Sequence, residues 1–433
     1  MMMAGLLRKP AVHALGLMAL RSMTIAAKFA LTLFMARYLG LAELGVYGII
    51  TSVSAVAPVM LGFGVANNLS REAARRGAAA VTLPLLQYFL FLIPAYIGLF
   101  GFSLLVWPDR IAWLCLLAVV LFLDHLQTEM FALMTITGSA YGANVAYFIR
   151  FAGWSLVYIP LALLHPSLRN MTAVLQFWLA GCVVASVLTI LFTRRWRWGA
   201  AFKALPSARI QLPHKHGSMA LYVGDVANVS FVYLDRYIVG LFLSPTILGV
   251  YVLYWSITNA LNNLITISVV QIQRGHLVKV AQTSSWAFNR ALRNVCLRSS
   301  GLALVLGGFA TLLMYAVVPH LDRPVAESYL PLMFVLAAGL VLRTLYEAVG
   351  ISFYAYGRDD LILYSVLGVL LVALCLNLTF DPWVGIWGAG CALVASYTIG
   401  VAARMLMIAR GFRLKTPSLQ MRSELEPAAE RSS

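Results

Sequence analysis

The feature that most constrains this chain is its run of apolar segments, one after another, each long enough to cross a bilayer. A crossing takes about 20 mostly apolar residues, since a helix rises ~1.5 Å per residue through a hydrocarbon layer ~30 Å thick. Segments of that kind occupy 14–38, 43–66, 82–106, 111–136, 141–164 and 171–193, then 217–243, 246–270, 295–318, 329–355, 361–380 and 384–408. Lipid offers the backbone no hydrogen-bond partner, so each segment must close its own N–H and C=O groups as a helix. The expected fold class is all-α: a polytopic membrane protein with about twelve transmembrane helices in two six-helix lobes.

Charge supports this reading. Only 11% of the 433 residues are charged and 61% are hydrophobic, against roughly 25% charged in a soluble domain. The net charge of +16 would suggest nucleic acid in a soluble protein. Here basic residues are expected to mark cytoplasmic loops and to sit beside anionic lipid headgroups. No basic-and-aromatic nucleic-acid module is present. Arg8 and Lys9 before an apolar stretch imitate a signal peptide, but the segment runs past Lys28 to Tyr38 without a small-residue cleavage site. It is expected to be a retained first helix.

Alternating sides from a cytoplasmic N-terminus sorts the connections by charge. One side receives Arg71, Arg75 and Arg76, the cluster from Arg194 to Lys215, the group from Arg274 to Arg298, and Arg410, Arg413, Lys415 and Arg422. The other receives Arg37, Arg110, Arg169 and Arg323, mostly beside Glu43, Asp109, Asp322, Glu327 or Asp381. Both termini are therefore expected in the cytoplasm. Residues 194–216 form the longest basic connection and divide 1–193 from 217–409. The polar tail 410–433 is expected to be disordered.

An internal repeat agrees with that division. Leu44-Gly45-Val46-Tyr47 recurs as Leu248-Gly249-Val250-Tyr251, and Ser52 matches Ser256 at the same offset. Each copy opens the second helix of its half. Six helices per half give both halves one orientation, as in transporters with parallel repeats.

Ionised groups at bilayer depth are costly, on the order of 2.5–3.5 kcal/mol each on insertion scales, and normally face a partner or a wet cavity. Arg21, Lys28, Arg150, Arg236 and Arg343 are placed there, with Asp124, Glu129, Asp225, Asp235 and Glu347. Arg21 and Lys28 share one helical stripe. Asp225, Asn228, Asp235 and Arg236 cluster on one arc of the seventh helix, and Ser256, Asn259, Asn263 and Thr266 line the eighth. Together these stripes predict a hydrophilic cavity between the lobes, with the five cations as its substrate-binding groups. The five acids are candidate ion or proton coupling sites, and Asn228, Asn259 and Asn263 are candidate lining. Arg343 and Glu347 also fit a simple intrahelical pair, as do His125 and Glu129.

The five cysteines are scattered through apolar spans without metal spacing, so neither a metal nor another cofactor is expected. No Walker motif, HExxH or GxSxG is present, so an enzyme is not expected.

Ala36-Arg37-Tyr38-Leu39-Gly40 followed by Glu43-Leu44-Gly45-Val46-Tyr47-Gly48 resembles the opening of the polysaccharide transporter (O-antigen, Wzx-type flippase) family. Asp235-Arg236-Tyr237-Ile238-Val239-Gly240 and Val384-Gly385-Ile386-Trp387-Gly388-Ala389-Gly390 look similar to its later signatures. The turn Thr137-Gly138-Ser139-Ala140 departs from it, lacking the basic residue relatives often carry after Gly. The family belongs to the multidrug/oligosaccharidyl-lipid/polysaccharide (MOP) superfamily, with a MATE-like two-lobed fold. The resemblance implies an inner-membrane flippase for a polyprenyl-diphosphate-linked oligosaccharide, working by alternating access in surface polysaccharide assembly. Implied partners are the lipid-linked glycan, membrane lipids and other polysaccharide-assembly proteins. A cation-coupled multidrug exporter is the alternative within transport; a membrane-embedded glycan polymerase or ligase would need a large outer loop, which this chain lacks.

Overall fold

The computed structural model describes residues 10–106, 108, 111–207 and 218–410. Arg8, Lys9, Arg110, Arg209, Lys215, most of the tail and part of the 194–216 connection lie outside them. All regular structure among the described residues is helical. The elements are α1 (Pro10–Phe34), α2 (Leu41–Leu61), α3 (Val65–Arg76), α4 (Ala78–Val106), α5 (Ile111–Ile136), α6 (Ala140–Phe148), α7 (Trp154–Leu164), α8 (Met171–Phe192) and α9 (Trp198–Ala204). They continue with α10 (Ser218–Phe242), α11 (Pro245–Ile265), α12 (Ile272–Ala281), α13 (Ser285–Val317), α14 (Pro324–Ser328), α15 (Leu332–Ala355), α16 (Asp359–Val384) and α17 (Ile386–Ala409).

With α6 and α7 joined through a π turn at Ile149–Gly153, twelve long helical rods among the described residues follow the expected segments. Ten of them are long and apolar enough to cross a membrane. The other two, α10 and α11, carry the polar stripes that lower their hydropathy. The chain is a multi-pass membrane protein of the expected all-α class.

Two compact units result, Met1–Tyr222 and Val223–Ser433. In the first, α5 packs against α8, α6, α4 and α2, while α1 lies along α6 and α7. In the second, α15 is central: it packs on α13, α17 and α11, and α16 pairs with α17. Large apolar side chains such as Leu105, Leu164, Leu241, Leu304, Leu312 and Trp383 are exposed, which suits contact with lipid rather than water.

Local chemistry sets the helix ends. Asn170, Ser244 and Ser284 each accept a hydrogen bond from the backbone N–H three residues on, opening α8, α11 and α13, and Pro245 occupies the first turn of α11. Between α16 and α17 one residue makes the whole turn: Gly385 has φ +66°, a conformation glycine adopts without the Cβ clash. Three residues later a Cβ on Gly388 would fall 2.6 Å from the Phe380 carbonyl carbon. The signature around residue 385 is thus a steric requirement for two helices meeting at a hairpin.

Three π turns interrupt the rods, at Met35–Leu39, Ile149–Gly153 and Thr266–Gln271. Such turns widen a helix locally and often occur at functional sites. Arg150 lies inside the second and Thr266 opens the third.

Candidate functional site

In the first unit the buried charges assemble on α5. Asp124 accepts a hydrogen bond from Ser54 of α2 at 2.5 Å, and its carboxylate lies 3.4 Å from Arg150 Nε. Arg150 Nη1 donates to the Asp124 backbone oxygen at 2.6 Å and to Thr128 Oγ1 at 2.8 Å. Both charged residues are almost fully buried, at 2% and 3% exposure. The next residue, His125, is completely enclosed. Its two ring nitrogens contact the hydroxyls of Tyr88 (3.0 Å) and Tyr96 (3.1 Å) on α4, and Glu129 Oε1 lies 3.5 Å from Nε2. Gln127 completes the layer, donating to Ser186 and accepting from Thr189 on α8.

The two α1 cations are placed differently. Arg21 is half-buried and donates to Asn144 Oδ1 at 3.3 Å. Lys28, two turns along the same stripe, sits 3.1 Å above the Phe151 ring. That ring also receives Arg150, 5.6 Å from its centroid, so Phe151 links the α1 stripe to the α5 network through cation–π contacts.

In the second unit Asp235 and Arg236 are both buried and point apart, as adjacent helical residues must. Asp235 accepts from the Tyr251 hydroxyl and from the Arg236 N–H. The Arg236 guanidinium stacks 3.7 Å over Trp255. Tyr251 comes from the repeated Leu-Gly-Val-Tyr motif, so the second copy holds a buried acid. Its counterpart Tyr47 packs against Trp178.

A second cluster joins α15 to α11. Arg343 contacts Glu347 at 3.2 Å and Asn259 at 3.0 Å. Glu347 in turn accepts from Asn262 at 3.0 Å and from Thr266 at 2.5 Å. The pair expected from spacing is therefore the hub of a network between two helices. Asn262, which the stripe reading did not include, makes the contact, whereas Asn263 is exposed; Asp225 and Asn228 are exposed as well.

Two groups escaped the sequence reading. Arg404 is buried at 4% exposure, donating to Ser365 at 3.1 Å and to the Tyr346 carbonyl at 2.7 Å while stacking on the Tyr346 ring. Asp381 was expected in an outer connection; α16 continues through it and buries it completely. Both of its carboxylate oxygens lack a hydrogen-bond partner. Asp381 lies within electrostatic range of Asp235 and Tyr251, and Asn377, one turn before it, is also buried with its amide oxygen unpartnered. Two acids, a tyrosine and an amide are thus buried on α10, α11 and α16. No cluster of three or more His, Cys, Asp or Glu suited to a metal is present among the described residues.

No family model matches the sequence, and no curated protein matches it. Solved structures do. A structure described as the lipid II flippase MurJ in an inward closed conformation aligns over 92% of this chain and 87% of its own, with TM-score 0.69 and 12% identity. An inward-facing multidrug resistance MATE family transporter of the MOP superfamily covers 94% of this chain and 99% of its own, with TM-score 0.64 and 13% identity. A MOP superfamily transporter from Pyrococcus furiosus Vc1, described as having a binding pocket of reverse polarity, covers 93% and 97% with TM-score 0.57 and 15% identity. Identities this low speak to architecture alone, and on that evidence the chain carries the fold of the MOP-superfamily transporters.

Proposed function

We propose that this chain flips a lipid-linked oligosaccharide, carried on a polyprenyl diphosphate, across the bacterial inner membrane by alternating access, for assembly of surface polysaccharide. The observation that carries this reading is Arg21. It is a half-buried guanidinium within a membrane-spanning helix, and among the described residues its hydrogen-bond partner is a neutral amide. Its charge is not cancelled by an acid there, and Lys28 follows on the same stripe. A diphosphate crossing the bilayer needs charge-assisted donors of this kind. Arg343, also half-buried, is a further contributor; Arg150 and Arg236 are held by fixed partners and act by shaping the surroundings.

Energy comes from a cation gradient. Asp235 and Asp381 are the coupling pair in the second unit, since two buried acids favour a positive partner. Asp124 and Glu129 in the first unit, with Asp225 and Glu347, are secondary candidates. Asn228, Asn259 and Asn263 would line the wet route, and both termini face the cytoplasm. The relative described as a lipid II flippase supports a lipid-linked cargo for this architecture.

A cation-coupled drug exporter is the second reading, favoured by the enclosed Asp124–His125–Glu129 cluster, which could carry a proton against a cationic drug. Purified protein in proteoliposomes separates the two. A labelled polyprenyl-diphosphate oligosaccharide should become accessible on the far leaflet with wild-type protein. With Arg21→Ala the rate should fall at least about tenfold, the scale of one charge-assisted contact. Glycan movement no faster than in protein-free liposomes, together with gradient-driven dye export, would overturn the flippase in favour of the exporter.

A further inference from the structure

The first unit carries a basic, tryptophan-bearing surface that transport does not use. α3 is short and amphipathic. Val65, Leu69 and Ala73 recur every four residues and are buried, whereas Arg71, Arg75 and Arg76 are exposed. The segment after α8 repeats this chemistry. Arg194, Arg195, Arg197 and Lys203 are exposed, while Trp196 and Trp198 stack on each other at 5.8 Å. Trp198 is pinned by donating its indole N–H to the Thr193 carbonyl at 3.1 Å.

One apolar cluster holds the two segments together. Leu69 and Ala73 of α3, Val81 and Leu85 of α4, and both tryptophans pack into it, and α9 itself lies against α4. Among the described residues of these two segments, seven basic side chains therefore stand against one acid, Glu72, which pairs with Arg76 at 3.0 Å. Neither segment is long enough to cross a bilayer. Each follows directly on a spanning helix, which sets it at the membrane surface.

We propose that this end is a binding surface for anionic phospholipid headgroups. Three features select that occupant over an acidic protein or a soluble anion. The basic groups sit on short segments at the ends of spanning helices, and because the apolar side of α3 is packed into the protein core its guanidiniums face outward, as in juxtamembrane basic segments that attract anionic lipid. The paired tryptophans are of the type that settles at headgroup level. The guanidiniums are spread over two segments rather than converging on one pocket, which fits several phosphates in a plane. Bound lipid would tie α3 to the 194–204 segment and hold the cytoplasmic ends of α2, α4 and α8 in a fixed spacing.

The test is native mass spectrometry of the purified full-length chain titrated with phosphatidylglycerol or phosphatidylcholine. Wild-type protein should retain phosphatidylglycerol at least about fivefold more than phosphatidylcholine, and the preference should collapse as salt rises past about 0.5 M, where the Debye length is only a few ångströms. The variants R71Q/R75Q and R194Q/R195Q/R197Q should each reduce it, while the matching Arg→Lys variants should keep it. Free glycerol phosphate should not compete at equal concentration. Equal retention of both lipids by wild type, a preference indifferent to salt, or competition by glycerol phosphate would each overturn the proposal, and none of these readings requires a variant to fold. Loss confined to one of the two Gln variants would overturn the shared surface.

Discussion

Arg150 reaches Asp124 by two routes: its guanidinium donates to the aspartate's own backbone oxygen at 2.6 Å, closer than its 3.4 Å approach to the carboxylate. The π turn that carries Arg150 brings it to a carbonyl already accepting from Thr128 at 2.9 Å. The pair is thus a backbone clamp as much as an ion pair. Removing one partner of a buried pair strands the other charge, at ~3–5 kcal/mol. Arg150→Met should therefore lower the melting temperature of purified protein sharply. Asp124→Asn should cost less, because Asn keeps the backbone oxygen and can still accept from Ser54. Equal losses in thermal melts would mean that the carboxylate, not the carbonyl, is what Arg150 holds.

His125 sets up a second contrast. Enclosed between Tyr88 and Tyr96, it gives each hydroxyl a partner. His125→Leu strands two buried hydroxyls, each costing ~1–3 kcal/mol, whereas Tyr96→Phe removes one hydroxyl and leaves one imidazole nitrogen bare. The leucine variant should melt below the phenylalanine variant, and the double variant should fall short of the sum of the two. Strict additivity in that cycle would show that the groups do not interact.

The glycines of the second unit make a steric prediction. A Cβ at Gly388 would meet backbone, at 2.6 Å from the Phe380 carbonyl carbon, whereas at Gly350 it would meet the guanidinium of Arg404. Backbone cannot step aside, and Arg404 can do so only by giving up its bonds to Ser365 and the Tyr346 carbonyl. Gly388→Ala should destabilise by more than the ~1–3 kcal/mol typical of overpacking, and Gly350→Ala by about that amount. Gly98→Ala, with nothing within 4 Å, should be near neutral. Reversal of that order in melts of the three variants would refute the steric account.

The same contacts show what the sequence could reveal. Segment length and apolarity account for ten of the rods, because the bilayer imposes both, whereas α10 and α11 are lowered in hydropathy by their polar stripes. Spacing within one helix also found Arg343–Glu347 and His125–Glu129, since i,i+4 neighbours touch whatever surrounds them. Partners drawn from other helices were hidden. Arg404 stands alone in an apolar run, and what it binds, a carbonyl and the Ser365 hydroxyl, leaves no charge pattern to detect. Asp381 was misplaced because the apolar segment ends at residue 380, whereas the helix runs on to Val384 with Pro382 inside its last turn, where a membrane helix tolerates proline. The π turns and α3 were missed for a related reason: each depends on packing that periodicity does not encode.

Asp381 leads to the sharpest prediction. Its two oxygens are buried and unpartnered, Asp235 is within electrostatic range, and Asn377 adds a bare amide oxygen. A bound cation would neutralise the repulsion between the acids and supply the missing partner at once. Stability of the wild-type protein should then rise with sodium at constant ionic strength, by ~2.7 kcal/mol when the ion is at about a hundred times its dissociation constant. Asp381→Asn removes one of two like charges, so it should be more stable than wild type in choline chloride and should gain nothing from sodium. Transport driven by a sodium gradient should be lost in the same variant, while its binding of lipid-linked substrate survives. A sodium response that is equal in wild type and Asp381→Asn would place the coupling ion elsewhere. If only pH moves the wild-type melting temperature, and Asp381→Asn abolishes that movement, the pair holds a proton instead.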